Sequence, residues 1–146
     1  MAGMFQVLAI GTGLITTTVL IHVLGLISIT TGASWLHKKL GVPRRSHQVG
    51  FTVGIVLGLF VIASVEIWLW AAGFWLTGTV ADFNSALYLS TITYSTVGYG
   101  DILPAHDWRL LAALEGVTGF LMIGWSTAYL VTAGTKFGPF HNGEHF

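Results

Sequence analysis

Three stretches of the chain, residues 4–31, 49–76 and 108–133, are almost uninterrupted apolar runs. Each exceeds the roughly 20 helical residues needed to cross a bilayer core of about 30 Å, so each predicts a transmembrane helix. The first has neither the basic leading region nor the small-residue cleavage site of a secretory signal and is read as retained, with length to spare for tilt or for continuation outside the bilayer. Residues 77–107, between the second and third runs, are too few and too polar to cross twice as full helices. Their pattern is nevertheless helical at first. "DFNSALYLSTITYS" opens with Asp82 and Asn84, either able to cap free N–H groups, and continues for some twelve residues without Gly or Pro. A helix of that length, about 18 Å, reaches only halfway into a membrane. The pattern therefore predicts an all-α membrane protein: three transmembrane helices plus a re-entrant short helix and loop.

The short helix is broken at its C-terminal end by a glycine-bearing segment. "TVGYGD", residues 96–101, carries glycines at 98 and 100, which enter positive φ without a Cβ penalty. Irregular backbone at membrane depth leaves carbonyls unsatisfied, at several kcal/mol each, unless it lines a watery cavity or holds a positive charge. Glycines at alternate positions let successive peptide planes turn their oxygens to one line. Thr96, Val97, Gly98 and Tyr99 then offer a ladder of carbonyls, with the Thr96 hydroxyl innermost, and Val97 and Tyr99 point away to brace the backbone. Such a ladder replaces the hydration shell of a bare cation.

Composition sharpens this picture. Only 8% of residues are charged and the mean hydropathy is +0.76, outside the range of a water-soluble domain. Six Lys+Arg balance six Asp+Glu, so no basic field exists to attract nucleic acid. The absence of cysteine excludes disulfides, thiolate metal sites and thiol catalysis. Lys38, Lys39, Arg44, Arg45 and Lys136 all fall on one side of the three spans, which places that side in the cytoplasm, the N-terminus outside and the C-terminus inside the cell membrane. Trp68, Trp70, Trp75 and Trp108 then fall near the outer interface and Trp35 near the inner one, as an aromatic belt requires.

The hexapeptide "TVGYGD" is the selectivity-filter sequence of potassium channels, and from about residue 49 to 133 the chain resembles a small bacterial pore domain of that superfamily. The order is the same: outer helix, pore helix, filter, inner helix. Pro104, Trp108 and Arg109 resemble the family pattern where the inner helix starts. Gly119 matches the gating-hinge glycine, with Gly124 a second candidate. The resemblance implies that K+ ions bind at Thr96, Val97, Gly98, Tyr99 and Gly100, with Asp101 as an acidic outer mouth. It also implies four pore loops around one axis, hence a homotetramer in the lipid bilayer, because one chain supplies too few carbonyls per layer. Residues 1–48 are then an additional helix with a basic linker, 49–134 the pore domain, and 135–146 a short cytoplasmic tail. Many relatives bond the filter tyrosine with paired tryptophans in the pore helix. Here those positions read Tyr88 and Leu89, leaving one polar partner, and Ile92 stands where some bacterial channels place a glutamate behind the filter.

Two acids lie inside the spans. Glu66 and Glu115 both arrive at the depth of the pore helix, and intramembrane carboxyls are costly enough to expect a role. Either they support the filter, as Tyr88 does, or they only join helices without affecting conduction. Six residues separate Arg109 from Glu115, so the two cannot pair within one helix. His22, mid-way along the first run, reads as a buried hydrogen-bonding group rather than a metal ligand, since no second ligand stands at three or four residues' spacing. His106 beside Asp107 raises proton sensing, against an inert exposed histidine, and His141 with His145 suggests at most weak metal binding.

The first run lacks the regularly spaced arginines of a voltage sensor and, rich in Gly11, Gly13, Thr16, Thr17 and Thr18, reads as a supporting helix suited to close packing. Only about a dozen residues follow the last run, and no ligand-sensing module is expected among them. Neither a catalytic constellation nor a phosphate-cradling loop is found, so no enzyme activity and no cofactor are expected. The reading is a passive potassium-selective channel. A weakly selective cation pore, and a non-conducting membrane subunit or sensor assembled through the pore fold, are the alternatives.

Overall fold

The computed structural model describes residues 3–40 and 45–137. Arg44, His141 and His145 lie outside them. Among the described residues there are four α-helices, in chain order α1 Met4–Leu40, α2 Arg45–Thr77, α3 Phe83–Tyr94 and α4 Arg109–Phe137, the last entered through a 3-10 turn, His106–Trp108. No strand occurs among these residues. Three of the helices, α1, α2 and α4, are long and apolar enough to cross a membrane. This is a multi-pass membrane protein.

The apolar runs set where the helices lie but not where they stop. α1 continues beyond residue 31 to Leu40 and takes His37, Lys38 and Lys39 into its last turn, where cations meet the negative end of the helix dipole. Lys39 Nζ lies 4.9 Å from the centre of the Trp35 ring, holding that exposed indole near the helix end. α3 begins where the sequence announces it. Asp82 is the N-cap, accepting from the Ser85 backbone N–H at 2.9 Å and from the Ser85 hydroxyl at 2.7 Å. These bonds hold the Asp82 carboxyl below its ordinary range.

α3 packs on both α2 and α4, and α1 lies against α2 and α4. The main core forms where all four meet, from Val7 on α1, Trp70, Ala71 and Phe74 on α2, Ala86, Leu89 and Ile92 on α3, and Leu111 and Ala112 on α4. Trp70 departs from the belt expectation. Its ring is fully buried and its indole N–H donates to Thr18 Oγ1 at 3.0 Å, because the helices on either side leave it no interface to reach. Trp68 and Trp75 remain half-exposed and flank Phe83 at ring separations of 5.9 Å each, pinning the start of α3. Small residues on α1 admit neighbouring side chains: Gly11 faces Leu114 of α4 and Gly25 faces Ile62 of α2, whereas Gly13 faces open space. Lower down, Thr30 and Tyr129 share a hydrogen bond at 2.9 Å between α1 and α4.

Candidate functional site

The segment after α3 takes its shape from two backbone bonds. The Thr96 N–H donates to Thr93 O and the Gly98 N–H to Ile92 O, each at 3.0 Å. Both N–H groups thus turn back onto the end of α3. Thr96, Gly98 and Gly100 have φ of 62°, 55° and 74°, while the residues between them do not enter positive φ. Alternation of this kind places successive N–H groups on one side of the backbone and successive carbonyls on the other. Among the described residues no hydrogen bond ends on the carbonyls of Thr96, Val97, Gly98 or Tyr99. The glycine conformations are those the sequence suggests. That of Thr96 was not legible there, since a β-branched residue in the left-handed region is an outlier.

In the single chain the whole stretch from Ser95 to Asp101 is exposed. Val97 and Tyr99 pack no core, and Tyr99 is 74% exposed. Tyr88, the polar group expected beside Tyr99, goes elsewhere: its hydroxyl donates to Asp101 Oδ2 at 2.7 Å. That bond is the main reason the Asp101 carboxyl lies below its usual range, with the Asp101 and Ile102 backbone N–H groups adding to it. The same carboxylate pushes the Tyr88 phenol up. Ile92 sits buried in the main core, so Asp101 meets a phenol rather than a second carboxyl. Beyond Asp101 the loop is tied down by the Ala105 N–H, which donates to Thr79 O at 2.9 Å and joins the two ends of the α3 excursion.

Behind α3 lies a buried polar cluster. Glu66 is fully buried on α2 and accepts from the Tyr94 hydroxyl through Oε2 and from His22 Nδ1, 3.0 Å away, through Oε1. Glu115 is fully buried on α4 and accepts from the Ser90 hydroxyl at 2.5 Å. Ser90 also lies 2.9 Å from Ile67 O. The two acids, expected at the depth of α3, each meet a hydroxyl of α3. His22 is a buried hydrogen-bonding group, and its ring also lies 5.3 Å from that of Trp125 on α4. Its position beside Glu66 was not seen in the sequence. The available signal was one ionisable residue on each of two adjacent apolar spans, which burial in lipid obliges to find each other.

Gly119 lies against the end of α3. A Cβ there would meet the Tyr94 backbone, its Cα at 2.7 Å and its carbonyl carbon at 2.8 Å. Gly124 faces open space. His106 is exposed and its Nδ1 lies 3.8 Å from Asp107 Oδ1. Among the described residues no group of three or more His, Cys, Asp or Glu side chains is placed to hold a metal.

A family model described as "Ion channel" matches residues 51–136, more than half of the chain. The chain belongs to that family, the pore-domain ion channels of potassium-channel type. No curated protein and no solved structure gives a significant match. Within this ion channel the match takes in α3, the TVGYGD stretch, both buried acids and Gly119, and leaves out the whole region before residue 51, α1 and His22 included.

Proposed function

We infer that this ion channel conducts K+ selectively and passively, through a filter formed where residues 96–100 of four identical subunits meet on one axis. The observation that carries the reading is the alternation of positive φ at residues 96, 98 and 100, with the N–H groups of 96 and 98 committed to α3 and the carbonyls of 96–99 left without a partner among the described residues. At membrane depth such carbonyls need a cation or water to bind to or accept from. One chain offers one oxygen per layer, and four offer a cage. The exposure of residues 95–101 in the lone subunit suits a surface that neighbours complete. Thr96 to Gly100 bind the ion, Asp101 concentrates cations at the mouth, and Tyr88, Glu66 and Glu115 support the filter from α3, α2 and α4. α3 is then a re-entrant pore helix, residues 49–134 the pore domain, 1–48 an added helix and linker, and 135–146 the tail. The pore needs no cofactor, sits in the cell membrane, and has its N-terminus outside and its C-terminus in the cytoplasm. Gly119 and Gly124 are the places where the inner helix bends.

A pore of relaxed cation selectivity is the second reading, favoured by one observation: Tyr88 is engaged by Asp101, so no α3 hydroxyl braces Tyr99 within its own chain. Flux of K+ and Na+ into liposomes holding the purified protein separates the two. The parent should pass K+ in large excess over Na+, and equal passage supports the second reading. Gly98→Ala, which forces a Cβ onto φ of 55°, should abolish K+ flux. If Gly98→Ala conducts like the parent, the filter lies elsewhere.

A further inference from the structure

α1 lies wholly before the residues the family model matches, yet through His22 it reaches the buried Glu66 behind the filter stretch. With Glu66 as a carboxylate, which has no hydrogen to offer, His22 Nδ1–H and the Tyr94 O–H both donate to it, one to each oxygen. His22, Glu66 and the Tyr94 ring are all buried. Tyr94 is the last residue of α3, directly before residues 95–101, and the Thr96 and Gly98 N–H groups hang on Thr93 and Ile92 beside it. A displacement of Tyr94 as a whole therefore carries the end of α3, and with it the anchor of those two N–H groups. The Tyr94 hydroxyl is tethered to Glu66, and Glu66 is aimed by His22. The His22 ring has its own support in Trp125 of α4, while its Nε2 is buried without a partner, so the ring is committed to Glu66 through Nδ1 alone.

We propose that His22 on α1 is a positioning residue of the conduction filter, acting through Glu66 and Tyr94 to fix the backbone of residues 95–98. The proposal rests on the filter reading above. It turns the added helix from passive packing into a part of ion selection.

The test is K+ against Na+ flux in liposomes, with assembly followed in the same preparations by mass in detergent. His22→Phe keeps a ring of similar size but has no donor. It should assemble like the parent and lose about tenfold in the ratio of K+ to Na+ flux, as expected for one lost bond to a charged acceptor. Tyr94→Phe should lose a similar factor, and the double variant no more than either alone, because both act through one carboxylate. His22→Asn, whose amide nitrogen falls near the place of Nδ1, should restore the ratio; His22→Gln, whose nitrogen falls near Nε2, should not. A merely structural histidine would lower assembly yield and leave the ratio of the assembled protein untouched. If His22→Phe does not assemble, the Asn and Gln variants decide alone, and equal selectivity in the two overturns the proposal. An assembled His22→Phe with the parent's ratio overturns it as well. Failure of the filter reading looks different: the parent itself would then show no preference for K+.

Discussion

Among the described residues, Thr96 alone is a non-glycine at positive φ. A β-branched side chain at φ 62° carries strain of order 1–3 kcal/mol. Glycine at this position has no such penalty, and it also removes the hydroxyl that the filter reading makes the innermost rung. Thr96→Gly should therefore raise the melting temperature of the detergent-solubilised protein while lowering K+ flux, a combination that distinguishes a functional strain from a tolerated one. Asp101 gives a second residue-scale prediction. Its carboxyl lies below its usual range chiefly because Tyr88 donates to it, so its charge persists to lower pH and is lost only as pH falls through the depressed value. In Tyr88→Phe that value should move back up, and K+ flux titrated from the outer side should fall at a higher pH than in the parent. Identical titrations would show that Asp101 does not control the mouth. Glycines 98 and 100 and the acid were legible in six letters of sequence, because few residue types can do what they do. The strained threonine and the Tyr88 to Asp101 bond were not, since each depends on where a side chain thirteen residues away, or a turned peptide, comes to rest.

At the scale of elements, the long helices follow from apolar length alone, and α3 from its Asp82 cap and the glycines that end the pattern. Helix ends were less legible: α1 runs to Leu40 because no proline interrupts the residues after the apolar stretch, and Lys38 and Lys39 suit a last turn well. The packing of α4 on α3 was legible only as a glycine and not as a reason. Gly119 allows backbone to approach backbone, so Gly119→Ala must push α4 off Tyr94 at about 1–3 kcal/mol and should lower thermal stability of the assembly. Gly116, three residues earlier, has only ordinary contacts with Thr93, and Gly116→Ala should be near neutral in the same measurement. Gly124 faces open space, so Gly124→Ala should stabilise α4 by up to about 1 kcal/mol; if flux also changes, that glycine bends during opening.

At the scale of the molecule, the pattern of runs gave the span count and the motif pointed to the candidate site, while the relation of α1 to the rest was hidden. Hydropathy treats α1 as one more apolar run and cannot say which flank it occupies. Its partners come from matched small residues and from isolated polar groups: Thr18 with Trp70, His22 with Glu66, Thr30 with Tyr129. Each is a single hydrogen bond within an apolar surround, where few alternative partners exist, so together they set the register of α1 on α2 and α4. A native mass measurement should give four chains per particle. A stable monomer or dimer in lipid would remove the cage that the filter reading requires of residues 96–99. Tyr94 shows what this arrangement entails mechanically. Its backbone leans on Gly119 and its hydroxyl is tethered to α2, so a sway of α4 finds no slack side chain to absorb it at that point. On the filter reading proposed above, the lower half of α4 and the ladder of oxygens would turn about one shared fulcrum.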